Sequence, residues 1–74
     1  MSRGLRRFRG DRGVLQTRDG RSLQGVLAGV HSDCVVMAAF RYLDEAQPHD
    51  LPGEAVVPIS NVSWFHRLAE GGAP

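Results

Sequence analysis

The stretch Asp19–Val30 reads Asp-Gly-Arg-Ser-Leu-Gln-Gly-Val-Leu-Ala-Gly-Val, and it predicts a tight turn followed by a bent strand. Asp19-Gly20 is a strong signal for a short hairpin, because the turn needs a positive φ. Alternation along the strand then separates two faces. One face carries Leu23, Gly25, Leu27 and Gly29, and the other carries Ser22, Gln24, Val26, Ala28 and Val30. The glycines allow the sharp bending that a small barrel requires.

Four further strands are predicted, at residues 14–18, 34–43, 54–59 and 62–66. Turn-forming or polar segments separate the strands: residues 10–13, 31–33, 44–53 and 60–61. Pro58 has no N–H to donate to a ladder, so it predicts a sheet edge or a strand end. About five short antiparallel strands joined by tight turns are typical of an all-β barrel.

Seventy-four residues make one domain at most. We predict an Arg-rich N-terminal arm at residues 1–12, a barrel at 13–68 and a flexible tail at 69–74. Within the arm, Leu5 and Phe8 are three residues apart and would share one side of a short helix. Such a small core leaves little room for a deep catalytic cleft, which favours a binding surface over an active site.

Charge divides the chain into a basic arm and a mildly acidic body. All nine basic residues are arginines. Residues 1–18 hold six arginines against one aspartate, a formal charge of +5, whereas residues 19–74 hold three arginines against seven acids, or −4. Basic arms commonly dock on an acidic partner or on phosphate, although a solvated tail is the alternative. The predicted docking residues of the arm are Arg3, Arg6, Arg7, Arg9 and Arg12.

A second predicted partner-binding feature is the adjacent pair Trp64 and Phe65. Neighbouring residues of a strand point to opposite faces, so both rings are buried only when each face is covered. The barrel can cover one ring. Either a neighbouring subunit or the arm, folded back, would cover the other.

Residues that could carry catalysis or bind a metal are scattered. Three histidines and the single cysteine, Cys34, show no metal-ligand spacing and no nucleophile–base pattern. No apolar run approaches the roughly 20 residues that cross a bilayer. We therefore expect a non-enzymatic protein without cofactor, metal ion or membrane partner. We expect it in the cytoplasm or in a virion, and not secreted by a signal peptide.

The stretch Asp19–Val30 resembles the first motif of the Sm-like family, and residues 56–65 are similar to its second motif of strand, turn and strand. The resemblance implies an SH3-like small barrel with an N-terminal helix, whose last strands pair between subunits to build rings. The RNA-reading positions of the family are not matched. His31 stands in place of an acidic residue, Val35 in place of asparagine, and Pro58-Ile59 in place of Arg-Gly. A valine cannot hydrogen-bond to base edges.

These features predict a structural or accessory subunit that binds into a larger assembly through its arm and a sheet edge. A phage capsid-associated or decoration protein is one candidate. The alternative is an RNA-binding protein that forms an oligomeric Sm-like ring, with the arm contacting phosphates.

Overall fold

A computed structural model describes residues 3–68, and the side chains from Gly4 onward. The elements are α1 (Arg3–Arg6), β1 (Arg12–Thr17), β2 (Ser22–Val30), β3 (Cys34–Tyr42), β4 (Glu54–Pro58), a 3₁₀ turn (Ile59–Asn61) and β5 (Val62–Arg67). The strands form one antiparallel sheet in the order β4-β3-β2-β1-β5. The predicted all-β fold, a small barrel-like sheet of five antiparallel strands with a short basic helix, is confirmed. The predicted tail at 69–74 lies outside the described residues.

The hairpin between β1 and β2 turns at Asp19-Gly20, as predicted. Gly20 adopts φ +94°, a conformation that costs little without a Cβ. The Thr17 N–H donates to the Arg21 carbonyl oxygen at 2.8 Å, and the Arg21 N–H donates to the Thr17 hydroxyl at 2.8 Å. The Thr17 hydroxyl also donates to the Asp19 carboxylate. Thr17 is only 5% exposed, and its buried hydroxyl makes its hydrogen bonds within the turn that it closes.

The hydrophobic core lies on the concave face of the sheet. Its buried members are Leu15, Leu23, Leu27, Val30, Val35, Met37, Phe40 and Val57. Every strand except β5 contributes at least one of them, and β5 adds the half-buried Phe65. The core is therefore shared by the whole sheet, and the described residues form no separate second layer.

The prediction that Val30 faces away from Leu27 was wrong. The pairing of β2 with β3 shifts between Leu27 and Gly29, so one extra residue of β2, Ala28, is accommodated there. A bulge of this kind reverses the alternation beyond it and turns Val30 into the core.

A second bulge lies in β3, where the left-handed Ala39 (φ 48°) precedes the buried Phe40. Opposite this bulge the backbone approaches Gly25 closely. A Cβ on that glycine would lie 2.7 Å from the Ala38 carbonyl oxygen. A side chain at position 25 would clash with β3. The bend predicted in β2 therefore requires the small size of glycine as well as its flexibility.

Candidate functional site: the arm and the two sheet edges

Most of the predicted arm packs on the barrel. Leu5 and Phe8 are half buried against the core, as their spacing predicted. The Gly10 N–H donates to the Leu27 carbonyl oxygen at 2.7 Å, and the Leu27 N–H donates to the Asp11 carbonyl oxygen at 2.9 Å. The arm therefore continues the backbone pairing of β2 before β1 begins.

The arginines of the arm point outward. Arg6, Arg7, Arg9 and Arg12 are all exposed. Among the described side chains, the ion pairs join Arg21 to Asp44, Arg41 to Asp50 and Arg67 to Asp11, at 2.7, 2.8 and 4.0 Å. None of them involves an arginine of the arm. Arg3 begins α1, but its side chain lies outside the described part.

Phe65, which the sequence placed among the partner-binding residues, is covered from within the chain. Its ring lies 6.0 Å from the ring of Phe8, at an interplanar angle of 44°. The guanidinium groups of Arg7 and Arg67 lie 5.4 and 5.9 Å from the Phe8 ring centroid. The arm thus folds back over Phe65, the ring that faces the core, and not over the other ring of the pair.

Trp64 points to the other face and is 50% exposed. It lies opposite Gln16 of β1, on the convex side of the sheet. The structure therefore separates the two adjacent aromatic residues, with Phe65 against the core and Trp64 in solvent. The two rings face opposite sides of the sheet, as predicted, and Trp64 is the exposed one.

The edge strand β4 presents an apolar residue that the sequence analysis missed. Val56 is 64% exposed, whereas its neighbour Val57 is 7% exposed. The signal was the same as for Trp64 and Phe65: two adjacent apolar residues on one strand cannot both face the core.

The backbone register also indicates that β4 is an open edge. The Ile59 N–H donates to the Asp33 carbonyl oxygen at 2.9 Å, so alternation turns the backbone groups of Glu54 and Val56 away from β3.

A cleft of about 310 Å³ lies beside β4. Its lining is half apolar and half polar: Thr17, Asp19, Arg21, Leu23, Tyr42, Ala55, Val56, Val57, Pro58 and Asn61. Residues from β4 form one wall, and the β1–β2 turn forms the other. This volume is at the lower end of the roughly 300–1,000 Å³ typical of ligand pockets. The cleft is large enough for a single bulky side chain.

Arg21 organises the rim of this cleft. Its guanidinium lies 4.0 Å from the Tyr42 ring centroid and its Nε donates to the Asp44 carboxylate at 2.7 Å. This hydrogen bond to Asp44, opposed by burial, raises the pKa of Arg21 above its ordinary value. The Thr17 hydroxyl bond holds the pKa of Asp19 below its ordinary value, with burial acting in opposition. Both groups are therefore charged at neutral pH, one of each sign.

Groups suited to chemistry do not converge in the part of the chain that the structure describes. No group of three or more histidine, cysteine, aspartate or glutamate side chains between residues 3 and 68 could hold a metal ion. Burial, then the nearby Asp33 carboxylate, raises the pKa of the half-buried Cys34 thiol, which disfavours the reactive thiolate. Val35 is fully buried in the core. No helix within residues 3–68 has the length and apolar character needed to cross a bilayer.

Comparison with protein-family models, with curated proteins and with solved structures finds no match to this chain.

Proposed function

We propose that this protein is a non-enzymatic structural subunit that associates through the two edges of its sheet and through its arginine-rich arm. The observation that carries the proposal is the pair of unlike edge strands. Within residues 3–68, β4 and β5 each pair with one neighbour only, and each exposes a large apolar residue, Val56 on one and Trp64 on the other.

Open sheet edges favour association because their unpaired N–H and C=O groups can accept another strand. Proteins that stay monomeric usually protect such edges with charge, proline or a covering segment. Pro58 limits β4 at one end only, and Val56 leaves the middle of this edge apolar. The family resemblance of the sequence, in which the last strands pair between subunits, supports the same mode of assembly.

The arm would supply a second, electrostatic contact. Arg6, Arg7, Arg9 and Arg12 are exposed, and no described acidic side chain pairs with them. Their backbone is held on the barrel, which reduces the ordering entropy that binding would otherwise cost. An acidic surface of a larger assembly, such as a phage capsid to which this subunit adds, is a partner of the matching charge.

Self-association is the direct test of the edges. Light scattering of the purified chain across a range of concentrations should report species larger than a monomer. Val56→Lys places a charge in the middle of the β4 edge and should shift the protein to the monomer. Leu43→Lys, the same replacement at an exposed apolar residue outside the strands, is the matched control and should leave the association unchanged. A wild-type chain that stays monomeric at every concentration contradicts self-association through the edges.

RNA binding is the alternative that the same material can test. Contacts between arginines and phosphates weaken steeply as salt rises. We expect labelled single-stranded RNA to show no preference between base sequences at physiological salt, because Val35 is buried where the Sm-like resemblance implies a base-reading asparagine. Sequence-selective binding that also weakens with salt and with Arg7→Ala and Arg9→Ala would favour the RNA-binding ring instead.

A further inference from the structure

We infer that the cleft beside β4 binds a basic side chain, arginine or lysine, that another protein presents. The carboxylate of Asp19 holds the charged head of this side chain, and the apolar part of the cleft holds its stem. The inference goes beyond the proposed function, because it requires neither the edges of the sheet nor the arm. It is carried by the orientation of Asp19, by the charges around it and by the apolar lining of the cleft.

Asp19 lies in the wall of the cleft and is held there in one orientation. Its carboxylate accepts a hydrogen bond from the hydroxyl of Thr17, and the side chain of Asn61 lies close enough to stabilise the charge further. Thr17 is buried and is fixed by its pairing with Arg21. A carboxylate has about four acceptor sites, so this one retains acceptor sites for the donors of a ligand.

The charge of Asp19 is not neutralised by an ion pair with any of the described side chains. Arg21 is the basic residue of the lining, and it is already engaged. Its Nε donates to the Asp44 carboxylate at 2.7 Å, and its guanidinium lies over the Tyr42 ring. Arg18 is exposed and does not line the cleft. The cleft therefore presents one uncompensated negative charge to a ligand, which favours a cation.

The rest of the cleft suits the hydrocarbon stem of a basic side chain. Leu23 and Val57 are buried residues of its lining, and Ala55 and Pro58 belong to the wall formed by β4. Lysine and arginine lay their methylene groups along apolar surface and keep the charged head in polar surroundings. The volume of about 310 Å³ is enough for one long side chain.

Other occupants fit the cleft less well. A purely apolar side chain would remove water from the Asp19 carboxylate without replacing its hydrogen bonds, which costs free energy. An acidic side chain would be repelled by the same carboxylate. A basic side chain satisfies both the apolar lining and the charge.

Capped tripeptides with one variable central residue test the inference. The probes have an acetylated and amidated Ala-X-Ala sequence, where X is arginine, lysine, citrulline, leucine or glutamate. Citrulline is the neutral counterpart of arginine, and capping removes the terminal charges. Titration into the isotope-labelled full chain, followed by the NMR shifts of its backbone amides, gives both the dissociation constant and the site. We expect the arginine and lysine peptides to bind roughly tenfold more tightly than the citrulline peptide, with shifts centred on Thr17, Val57 and Asn61.

Asp19→Asn tests the carboxylate and preserves the turn, because Asn-Gly suits a tight hairpin as well as Asp-Gly does. It should weaken binding of the arginine peptide roughly tenfold and leave the citrulline peptide unchanged. Asp33→Asn is the matched control, since Asp33 is an exposed carboxylate outside the lining of the cleft, and it should change neither value. The two peptides and two chains form a double-mutant cycle, which separates the contact with the cation from any general change in the cleft.

The stem is tested with a shorter probe and an unaltered protein. Diaminobutyrate in place of lysine keeps the positive charge and removes two methylene groups. Its peptide should bind roughly tenfold more weakly than the lysine peptide, because less apolar surface is buried.

Several results would overturn the inference. A citrulline or leucine peptide that binds as tightly as the arginine peptide would show that the cleft does not recognise charge. A preference for the glutamate peptide would make Arg21 the group that is recognised. Equal weakening by Asp19→Asn and Asp33→Asn would indicate an effect of net charge alone. None of these results bears on the proposed self-association, which light scattering tests without any peptide.

Discussion

Two irregular segments border the barrel, and they are held to it by different forces. The arm, residues 1–12 and described from residue 3, is basic and is held by Leu5 and Phe8 against the core. The loop between β3 and β4, residues 43–53, is acidic and is held largely by two ion pairs at its exposed surface, with Leu51 as its half-buried contact. The Leu51 N–H also donates to the Phe40 carbonyl oxygen at 2.9 Å.

This difference determines which charges are available to a partner. The loop uses Asp44 and Asp50 to bind arginines of its own chain. The arm is fixed by apolar contacts and keeps its described arginines out of ion pairs within residues 3–68. Exposed ion pairs add little to stability, whereas buried aromatic contacts add more. The arm is therefore both the more firmly attached segment and the one with more uncompensated charge.

The largest effect is expected from a methyl group placed where β1 packs against Phe65, the ring that the arm covers. A Cβ at Gly13 would lie 2.3 Å from the Phe65 ring and 2.6 Å from the His66 carbonyl oxygen. We expect Gly13→Ala to lower the free energy of unfolding by about 3 kcal/mol, the upper part of the usual range for overpacking. Gly53→Ala, in the loop, meets no atom within 4 Å and is strained only by its φ of +82°, so it should cost about 1 to 2 kcal/mol.

Urea denaturation would compare these variants, with Gly4→Ala as the control, since nothing lies within 4 Å of a Cβ at that position. A loss at Gly13 no greater than the loss at Gly53 would show that the contact between β1 and Phe65 is looser than described.

An intermediate effect is expected from Phe8→Ala. The side chain is half buried and contacts Phe65 and two guanidinium groups, so we expect a loss of about 2 kcal/mol, less than the 3–5 typical of a fully buried phenylalanine. Leu43→Ala, an exposed residue of the loop, should change the free energy of unfolding by no more than about 0.5 kcal/mol. Thermal unfolding at two salt concentrations would check both values. Equal losses for the two variants would contradict the apolar attachment of the arm.

The smallest effect is expected from Asp44→Asn, and it should depend on pH. Burial opposes ionisation of Asp44, but its own backbone N–H and Arg21 together hold the pKa of the carboxyl below its ordinary value. A carboxyl whose pKa is lower in the folded chain stabilises that chain at pH values above its unfolded pKa of about 3.9. This contribution is lost as the pH falls through the lower pKa of the folded chain. The variant should therefore be slightly less stable than the wild type at pH 7 and equal to it in acid.

Glu45→Gln is the control for this titration, because the adjacent Glu45 is exposed and takes part in none of the described ion pairs. A pH dependence of the same size in both variants would show that net charge, and not the pair with Arg21, causes the effect.

Local signals were sufficient for most of the fold. The Asp19-Gly20 turn, the alternation of β2 as far as Leu27 and the proline at the end of β4 each depend on residues close in sequence, and each was confirmed. The predicted strand ends differ by at most two residues. The facing of Val30 could not be predicted in this way, because the bulge at Ala28 is fixed by the register against β3.

The candidate site was predicted less completely than the fold. The contrast between Trp64 and Phe65 followed from alternation, and the exposure of Val56 could have been found by the same argument. The cleft could not, since it joins the β1–β2 turn, the end of β3 and β4, segments up to about forty residues apart in the chain. The partner of the arm stays a prediction.

By itself the sequence determined the class of fold, the position of the first hairpin and the separation of charge between arm and body. These properties follow from the φ preferences of single residues, from a two-residue period and from the count of ionised groups. Only the tertiary structure decided which aromatic ring is covered, where alternation is reversed and which edge borders a cleft. Each of these depends on the packing of segments that are distant in the chain, and packing is a property of shape that no local pattern contains.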